Sequence, residues 1–268
     1  MQNLKNRVTI EFKNQLALVR LNRPEKLNGL DLEMMHALVE AAGHVRRQPD
    51  VRAVVLQSEG DAFCSGLDFS SVLKKPARVL AGFLPWWRKG NLFQRMCLDW
   101  RDLPMPVIAV THGYCFGGGL QLALGCDFRI SSPDCQYSIM EIEWGLVPDM
   151  GATVVLRDLL AQDVAMELAM TGRKLDASEA LELGLISRIA PDPAEAALEL
   201  AQELAGRSPH AIAAIKALFK TTRHGSERRA LRRERMAQLK LLMGSNQREA
   251  MRAKQEKRQP EFRPRSGR

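Results

Sequence analysis

Glycine is concentrated at one point of the sequence, between an apolar segment and a second segment of helical pattern. The stretch PVIAVTHGYCFGGGLQLALGCD covers residues 106–127 and contains Gly113, Gly117, Gly118 and Gly119. Because glycine has no side chain, a ligand atom can approach the unpaired N–H groups in the first turn of the helix, where the dipole favours negative charge. Such a turn can stabilise an oxyanion. Close packing of the helix against the strand is an equal alternative explanation.

The spacing of these glycines argues against two phosphate-binding loops and permits one kind of nucleophile. There is no G-x-G-x-x-G and no following G-K-[ST], so dinucleotide binding and a P-loop are disfavoured. Residues 113–117 do form G-x-C-x-G, the nucleophile elbow of an α/β-hydrolase, with Cys115 as the nucleophile. That mechanism requires a later histidine base, for which His210 and His224 are the candidates. His112, at the end of the preceding strand, is interpreted as a packed, hydrogen-bonded residue.

The elements that would position these residues are strands that alternate with helices. Alternating apolar residues predict a hairpin of strands at residues 8–12 and 16–21, followed by a helix capped by Asp31. Continuous apolar segments at residues 53–56 and 107–110 predict buried parallel strands, each followed by a glycine-containing turn and a helical pattern. The sequence therefore predicts an α/β fold.

The last third of the chain is predicted to be helical and carries the positive charge. Ala, Glu and Leu dominate from Ala194 onward, and Ser208 and Pro209 separate two helical stretches. Residues 221–268 carry 15 Lys and Arg against 5 Glu, a charge of +10, whereas the rest of the chain carries −2. This charge could attract nucleic acid, an anionic membrane or ligand phosphates, but we favour a solvated helical face with a frayed end. Residues 260–268 are predicted to be disordered.

The composition is typical of one globular body with reduced thiols. With 268 residues, 46% of them hydrophobic, the chain can bury one substantial core. It has no uninterrupted apolar segment of about 18 residues and no secretory pattern at its start, so we expect a cytoplasmic protein without membrane association. The five cysteines are odd in number and form no C-x-x-C pair, which argues against a disulfide framework and a zinc site.

Four ordered blocks resemble the crotonase superfamily, which is the enoyl-CoA hydratase/isomerase family. The blocks are NRPEKLN at residues 22–28, AFCSGLD at residues 62–68, GYCFGGG at residues 113–119, and residues 141–151, and the resemblance extends over residues 5–220. It implies a crotonase-type α/β fold, a spiral of ββα units with a helical C-terminal region. We expect a core with an acyl-CoA site at residues 1–200, a helical trimerisation region of a homotrimer or hexamer at residues 201–259, and the disordered basic tail at residues 260–268.

The resemblance also implies how an acyl-CoA substrate would be bound. In this family two backbone N–H groups hold the thioester oxygen, and the matching positions are Leu67 and Gly118. The residues along which coenzyme A would run are Lys26, Leu27, Ser65, Asp68 and Phe69. Lys216 and Lys220 are candidates for contacts with its phosphates. No metal or redox cofactor is implied, because coenzyme A is part of the substrate.

The resemblance places catalytic carboxylates at Glu141 and Asp149. Family hydratases usually carry two carboxylates, but the first position is Gln121 here, whose amide can bind and orient a ligand and cannot act as a general base at neutral pH. Asp149 matches the acid of dienoyl-CoA isomerases. Two carboxylates could remove a proton at one carbon and return one at another, so we expect double-bond isomerisation through a thioester enolate. Hydration of a 2-enoyl-CoA by Glu141 is the alternative.

Two further classes of function stay open. One is the Cys115-dependent α/β-hydrolase, and the other is a non-catalytic relative that binds acyl-CoA or RNA, although nucleic acid is the less expected partner. Four tryptophans are candidates for lining an acyl pocket, namely Trp86, Trp87, Trp100 and Trp144. Trp86 and Trp87 are the stronger candidates, because they follow the first of the two glycine-containing blocks, in a segment where the resembled family shapes its acyl site.

Overall fold

Helices and strands alternate along the chain in the computed structural model, which describes residues 1–84 and 89–265. The strands are β1 (Gln2–Leu4), β2 (Val8–Lys13), β3 (Leu16–Leu21), β4 (Ala53–Ser58), β5 (Val107–Thr111), β6 (Tyr114–Phe116), β7 (Phe128–Ser131), β8 (Gln136–Ser138) and β9 (Arg188–Ile189). The helices are α1 (Leu32–Arg46), α2 (Phe69–Val72), α3 (Pro76–Gly82), α4 (Leu92–Arg101), α5 (Gly118–Leu124), α6 (Ala152–Leu159), α7 (Gln162–Thr171), α8 (Ala177–Glu182), α9 (Pro193–Ala205), α10 (Pro209–Thr222), α11 (Glu227–Leu242) and α12 (Ser245–Gln255). Short 3-10 helices cover Pro24–Lys26 and Glu141–Trp144.

The larger sheet has seven strands in the order β1-β2-β3-β4-β5-β7-β9. Strands β1 to β3 are antiparallel, which confirms the predicted hairpin, and the pairs from β3 to β9 are parallel. The apolar segments predicted as parallel strands are β4 and β5, and every residue of β5 is buried. Continuous apolar sequence at both positions reflects burial of the sheet on its two faces.

A smaller sheet pairs β6 with β8 in parallel. Strands β5 and β6 precede α5, and β7 and β8 precede the 3-10 helix Glu141–Trp144, so each unit places one strand in each sheet. The backbone of Cys64, between β4 and α2, pairs with that of Cys115 in β6 as an isolated parallel β-bridge, and both thiols are free. The unit that contains β4 and α2 therefore has the same arrangement. The succession of ββα units predicted from the resemblance is confirmed.

Helices cover both faces of the larger sheet. Helix α1 begins at its predicted cap, where the Asp31 side chain accepts a hydrogen bond from the Met34 N–H at 2.7 Å. On the other face α9 packs alanines, including Ala197 and Ala201, against β4 and β5. The expected domain boundary at residue 200 therefore falls inside a helix that packs on the sheet.

The C-terminal region is helical, as predicted, and Ser208 caps α10. The exposed apolar side chains on α10 and α11 include Ile215, Phe219, Leu231 and Leu239. Assembly into a trimer or hexamer stays a prediction. No helix within the described residues is long and apolar enough to cross a bilayer.

Residues 260–265 differ from the expected disordered tail. Phe262 is buried, and its carbonyl oxygen accepts a hydrogen bond from the Arg52 guanidinium at 2.8 Å. The Arg263 N–H donates to Asn246 Oδ1 at 2.9 Å, and the Asn246 amide donates back to the Arg263 carbonyl. These contacts hold a segment whose composition alone indicates disorder. Residues 266–268 lie outside the described residues.

Candidate active site

A cavity of about 430 Å³ lies beside the two glycine turns that follow β4 and β6. Its lining residues come from the turns, from α2 to α4, and from the segment between β8 and α6. They are Ser65, Gly66, Leu67, Phe69, Val72, Leu73, Val79, Phe83, Phe93, Gly117, Gly118, Met140, Glu141, Trp144, Leu146, Val147, Asp149 and Met150. The cavity thus brings together six predicted site residues: Leu67, Gly118, Glu141, Asp149, Ser65 and Phe69.

Leu67 and Gly118, one from each glycine turn, both line this cavity. The Phe116 N–H donates to the Cys64 carbonyl at 3.0 Å, which holds the turns against each other. Gly66 has φ +93°, and a Cβ there would lie 3.0 Å from the Phe116 carbonyl oxygen, so the close approach requires glycine. Across residues 1–84 and 89–265, no acceptor is found for the N–H of Leu67 or Gly118. Donors of this kind can hold an oxygen that acquires negative charge.

Glu141 and Asp149 are the two carboxyl groups that line the cavity. Glu141 begins the 3-10 helix Glu141–Trp144, and Asp149 lies in the loop before α6. Burial raises the pKa of Glu141 above its ordinary value of 4.5; the Gln121 hydrogen bond opposes this rise, and the Asp149 charge adds to it. Burial also raises the pKa of Asp149. Carboxyl groups shifted toward neutral pH are suited to taking and giving protons.

Gln121 lies on α5 behind Glu141 and is not part of the cavity lining. Its side chain is buried, and its amide NH₂ donates to Glu141 Oε1 at 2.7 Å. Its amide oxygen accepts from the Met150 N–H at 2.8 Å and from the Ala152 N–H at 3.2 Å. Gln121 thus bonds the protein through both its amide oxygen and its NH₂ group, and a contact between Gln121 and substrate stays a prediction.

Apolar and aromatic side chains form the rest of the cavity wall. The rings of Phe69 and Trp144 stack with centroids 4.0 Å apart, and those of Phe83 and Phe93 lie 4.7 Å apart. The sequence interpretation missed Phe83 and Phe93, although both are aromatic residues in segments of helical pattern. Of the candidate tryptophans, Trp144 lines the cavity and Trp100 is fully buried in the core. Trp86 and Trp87 lie outside the described residues.

Comparison with known families identifies the relationship. A model of the enoyl-CoA hydratase/isomerase family matches residues 11–265. The chain belongs to this family. The match includes both glycine turns, Glu141 and Asp149, and the family is the crotonase superfamily to which the sequence blocks pointed.

Relatives within the enoyl-CoA hydratase/isomerase family carry different activities in their names. The chain is 31% identical to an enoyl-CoA hydratase of Mycobacterium tuberculosis, over 94% of this chain and 95% of that one. It is 32% identical to the peroxisomal Delta(3,5)-Delta(2,4)-dienoyl-CoA isomerase of Arabidopsis thaliana, over 90% of both chains. The crystal structure of an enoyl-CoA hydratase from a Polaromonas species superposes with a TM-score of 0.86 at 29% identity, over 96% of this chain and 99% of that one. The crotonase-type fold is thereby confirmed.

Not all residues expected to bind coenzyme A in this enoyl-CoA hydratase/isomerase family member line the cavity. Lys26 and Leu27 are exposed beside it, since the Leu27 carbonyl accepts from the Ser65 N–H at 3.0 Å. Asp68 instead caps α2 and binds the Arg23 guanidinium at 2.8 Å.

The carboxyl group of Asp68 is committed to these internal contacts. Burial alone would raise the pKa of Asp68, but hydrogen bonds from Ser70, Ser71 and Arg23 together hold it well below its usual range. Asp68 therefore stays ionised and stabilises the segment that carries Leu67, which is a different role from the predicted contact with coenzyme A.

Lys216 and Lys220, the candidates for phosphate contacts, form ion pairs inside this chain. The Lys216 ammonium donates to Asp127 Oδ2 at 2.5 Å and to the Met105 carbonyl at 2.9 Å, and its side chain is only 12% exposed. The Lys220 ammonium pairs with Asp102. Sequence shows the positive charges of α10 but not the acids that neutralise them.

The nucleophile-elbow hypothesis for Cys115 is wrong for this enoyl-CoA hydratase/isomerase family member. Cys115 occupies the middle of β6, where a strand and not a strand-to-helix turn surrounds it, and it is fully buried. Burial raises the pKa of its thiol well above the usual value, which disfavours the reactive thiolate. His210 shares a hydrogen bond with Asn246, and His224 pairs with Asp158. His112 bonds the Gly60 carbonyl, as interpreted.

We expect Cys115→Ala to leave turnover of an acyl-CoA substrate within about twofold of the unchanged protein, because a buried, protonated thiol takes no part in proton transfer. Iodoacetamide should likewise fail to inactivate the folded protein, since all five cysteines are buried. The measurement is kcat before and after alkylation, with circular dichroism to confirm folding. A folded Cys115→Ala protein without activity would restore the nucleophile hypothesis.

Proposed function

We propose that this enoyl-CoA hydratase/isomerase family member moves a double bond within an unsaturated acyl-CoA thioester. The observation that supports this most directly is the pair of carboxyl groups, Glu141 and Asp149, which line the cavity and have raised pKa values. Family hydratases usually carry a further carboxylate, which could activate water, at the position of Gln121. In this chain that position holds an amide, which lies behind the cavity wall.

In the proposed mechanism the thioester oxygen accepts hydrogen bonds from the N–H groups of Leu67 and Gly118. The Glu141 carboxylate removes a proton from the acyl chain, and the electron pair moves into an enolate whose negative oxygen these N–H groups stabilise. Asp149 takes up a proton from solvent while the enolate occupies the site and then gives that proton to a carbon farther along the conjugated chain as the thioester carbonyl re-forms. The double bond has moved and no water has been added. Proton exchange with solvent restores both carboxyl groups.

The wall of the cavity supports an apolar acyl group as the substrate. Beyond Glu141 and Asp149, the side chains around the acyl position are mainly aliphatic and aromatic, with Phe69 stacked on Trp144. Burial of acyl methylene groups against such a surface contributes about 0.8 kcal/mol each. Coenzyme A would lie outside, along the exposed segment at Lys26 and Leu27.

Hydration of a 2-enoyl-CoA is the second candidate. Its support is the similarity to the hydratase of Mycobacterium tuberculosis, which matches the chain about as well as the isomerase of Arabidopsis thaliana does. In that reaction Glu141 alone would activate the attacking water. The two candidates therefore differ in whether Asp149 is required.

The experiment that separates them is incubation in deuterated water with crotonyl-CoA, a 3-enoyl-CoA and a 3,5-dienoyl-CoA, with products followed by mass spectrometry and NMR. Isomerisation predicts a shifted double bond that carries deuterium, without added water, and loss of this product in Asp149→Asn. Asp134→Asn, at an exposed site, is the matched control. Water addition to crotonyl-CoA that persists in Asp149→Asn would identify a hydratase, and no turnover of any of the three would reject both candidates.

The pH dependence of proton removal should report the environment of Glu141. As pH falls, exchange of the α-hydrogens of octanoyl-CoA with solvent should decline at a pH above the ordinary glutamate pKa of 4.5, because the base must be deprotonated. In Asp149→Asn this decline should move to lower pH, since the negative charge that raises the Glu141 pKa has been removed. A decline at the same pH in both proteins would show that Asp149 does not act on the base.

A further inference from the structure

Gln121 connects the two segments that carry the carboxyl groups of the cavity. Its NH₂ group reaches Glu141, 20 residues later, and its oxygen reaches the Met150 N–H, 29 residues later. Met150 directly follows Asp149 in the chain. A second N–H, that of Ala152, donates to the same oxygen. One buried side chain therefore binds both segments.

These contacts leave the amide a single orientation. An amide oxygen only accepts and an amide NH₂ only donates, so a rotated Gln121 would place its NH₂ group against the N–H groups of Met150 and Ala152. The oxygen is thereby fixed on the Asp149 side, and the NH₂ group is fixed on Glu141 Oε1. Glu141 Oε2 is buried and has no hydrogen-bond partner in the part of the chain that the structure describes.

We propose that Gln121 is a positioning residue, which holds the Glu141 carboxyl group through Oε1 and holds the segment that carries Asp149 in a fixed place relative to it. The proposal rests on the proposed function for the identity of the reaction. With a proton on Oε2, Oε1 still accepts from Gln121, so the bond persists in that state.

The chemistry of the side chain explains why an amide serves this purpose. An amide donates at every pH near neutrality and does not titrate, so the link does not depend on the protonation of its neighbours. A carboxylate at the same position would accept the same two N–H groups but would repel the Glu141 carboxylate. Gln121→Met, which removes all three bonds at similar volume, and Gln121→Glu, which removes only the donor, therefore test separate parts of the proposal.

The decisive measurement is the pKa of Glu141 in the whole protein, from a pH titration of the infrared C=O band of its protonated carboxyl, assigned by subtracting the spectrum of Glu141→Gln. We expect the pKa to rise in Gln121→Met, because a hydrogen bond that stabilises the carboxylate is lost, and to rise in Gln121→Glu through like-charge repulsion. Gln202→Met, at an exposed position of α9, should leave it unchanged. An unchanged pKa in both Gln121 variants would overturn the proposal.

Kinetics with the best substrate of the preceding screen provide the second readout. In Gln121→Met we expect kcat to fall by about a hundredfold, the cost of displacing a catalytic group, with KM within about twofold because Gln121 does not line the cavity. A lower melting temperature with unchanged kcat would indicate a merely structural residue and would also overturn the proposal. The unchanged protein could turn over none of the substrates while the Glu141 pKa still rises in both Gln121 variants and not in Gln202→Met. In that case the proposed function fails and the placement of Glu141 by Gln121 stands.

Discussion

Glu141→Gln is expected to lower kcat by about a thousandfold, within the range that a positioned general base contributes. Glutamine keeps the size and an oxygen that can accept the Gln121 hydrogen bond, but it cannot take a proton at neutral pH. Because the cavity shape is retained, we expect KM to change by less than about threefold, as for an interaction made in the transition state. Steady-state kinetics and α-hydrogen exchange in deuterated water measure both effects.

Glu143→Gln is the matched control for this variant. Glu143 lies two residues away on the same 3-10 helix, is exposed, and does not line the cavity. Its replacement should leave kcat and KM unchanged. A folded Glu141→Gln protein that retained most of its turnover would contradict every reaction proposed above, because both isomerisation and hydration use this carboxylate.

Lys216→Met is expected to lower the free energy of unfolding by about 3 kcal/mol, since removing one partner of a buried ion pair leaves the other charge uncompensated. Asp127, the partner, also accepts a hydrogen bond from the Val107 N–H at the start of β5. The variant therefore disturbs the first residue of β5, a central strand of the sheet. A loss of this size lowers the melting temperature by about 6–12 °C in a chain of this length.

We expect Lys216→Met to leave the KM for acyl-CoA unchanged. This result would distinguish an internal ion pair of Lys216 from a contact with the phosphates of coenzyme A. Lys13→Met, at an exposed position, should change the free energy of unfolding by less than about 0.5 kcal/mol. Adding Asp127→Asn to Lys216→Met should recover much of the lost stability, because asparagine still accepts from the Val107 N–H without a buried charge. A stable Lys216→Met protein with a raised KM would return Lys216 to the substrate site.

Local signals predicted most of the elements that carry the site. The cap at Asp31, the break before Pro209 and the apolar segments of β4 and β5 depend on neighbouring residues alone, and the structure has each of them. The glycine turns were also predicted, because a left-handed φ and close backbone approach require a specific residue type. Sequence blocks then added Glu141 and Asp149, which the cavity brings together.

Sequence reasoning did not find the internal partners of side chains that are bound by distant residues. Gln121, Asp68 and Lys216 are polar residues that could equally bind a ligand or another part of the chain, and spacing does not distinguish these outcomes. Each proved to be bound within the protein, and their partners include Glu141, Arg23 and Asp127, which lie 20, 45 and 89 residues away in the sequence, respectively. Phe83 and Phe93 were missed for the same reason, since helical apolar patterns do not reveal whether a face meets the core or a ligand.

The hydrogen bond between Arg52 and the Phe262 carbonyl spans 210 residues of the chain. Arg52 also donates to the Ala205 carbonyl, and its guanidinium lies 5.9 Å from the centroid of the Phe262 ring. Closing a loop of this length costs more conformational entropy than closing the short loops of the β-hairpin and the βαβ units. During synthesis on the ribosome, Arg52 emerges long before Phe262 has been added. The first strands of the sheet therefore form without this contact while the nascent chain grows. Arg52 stays hydrated at this site until Phe262, 210 residues later in the sequence, has been synthesised.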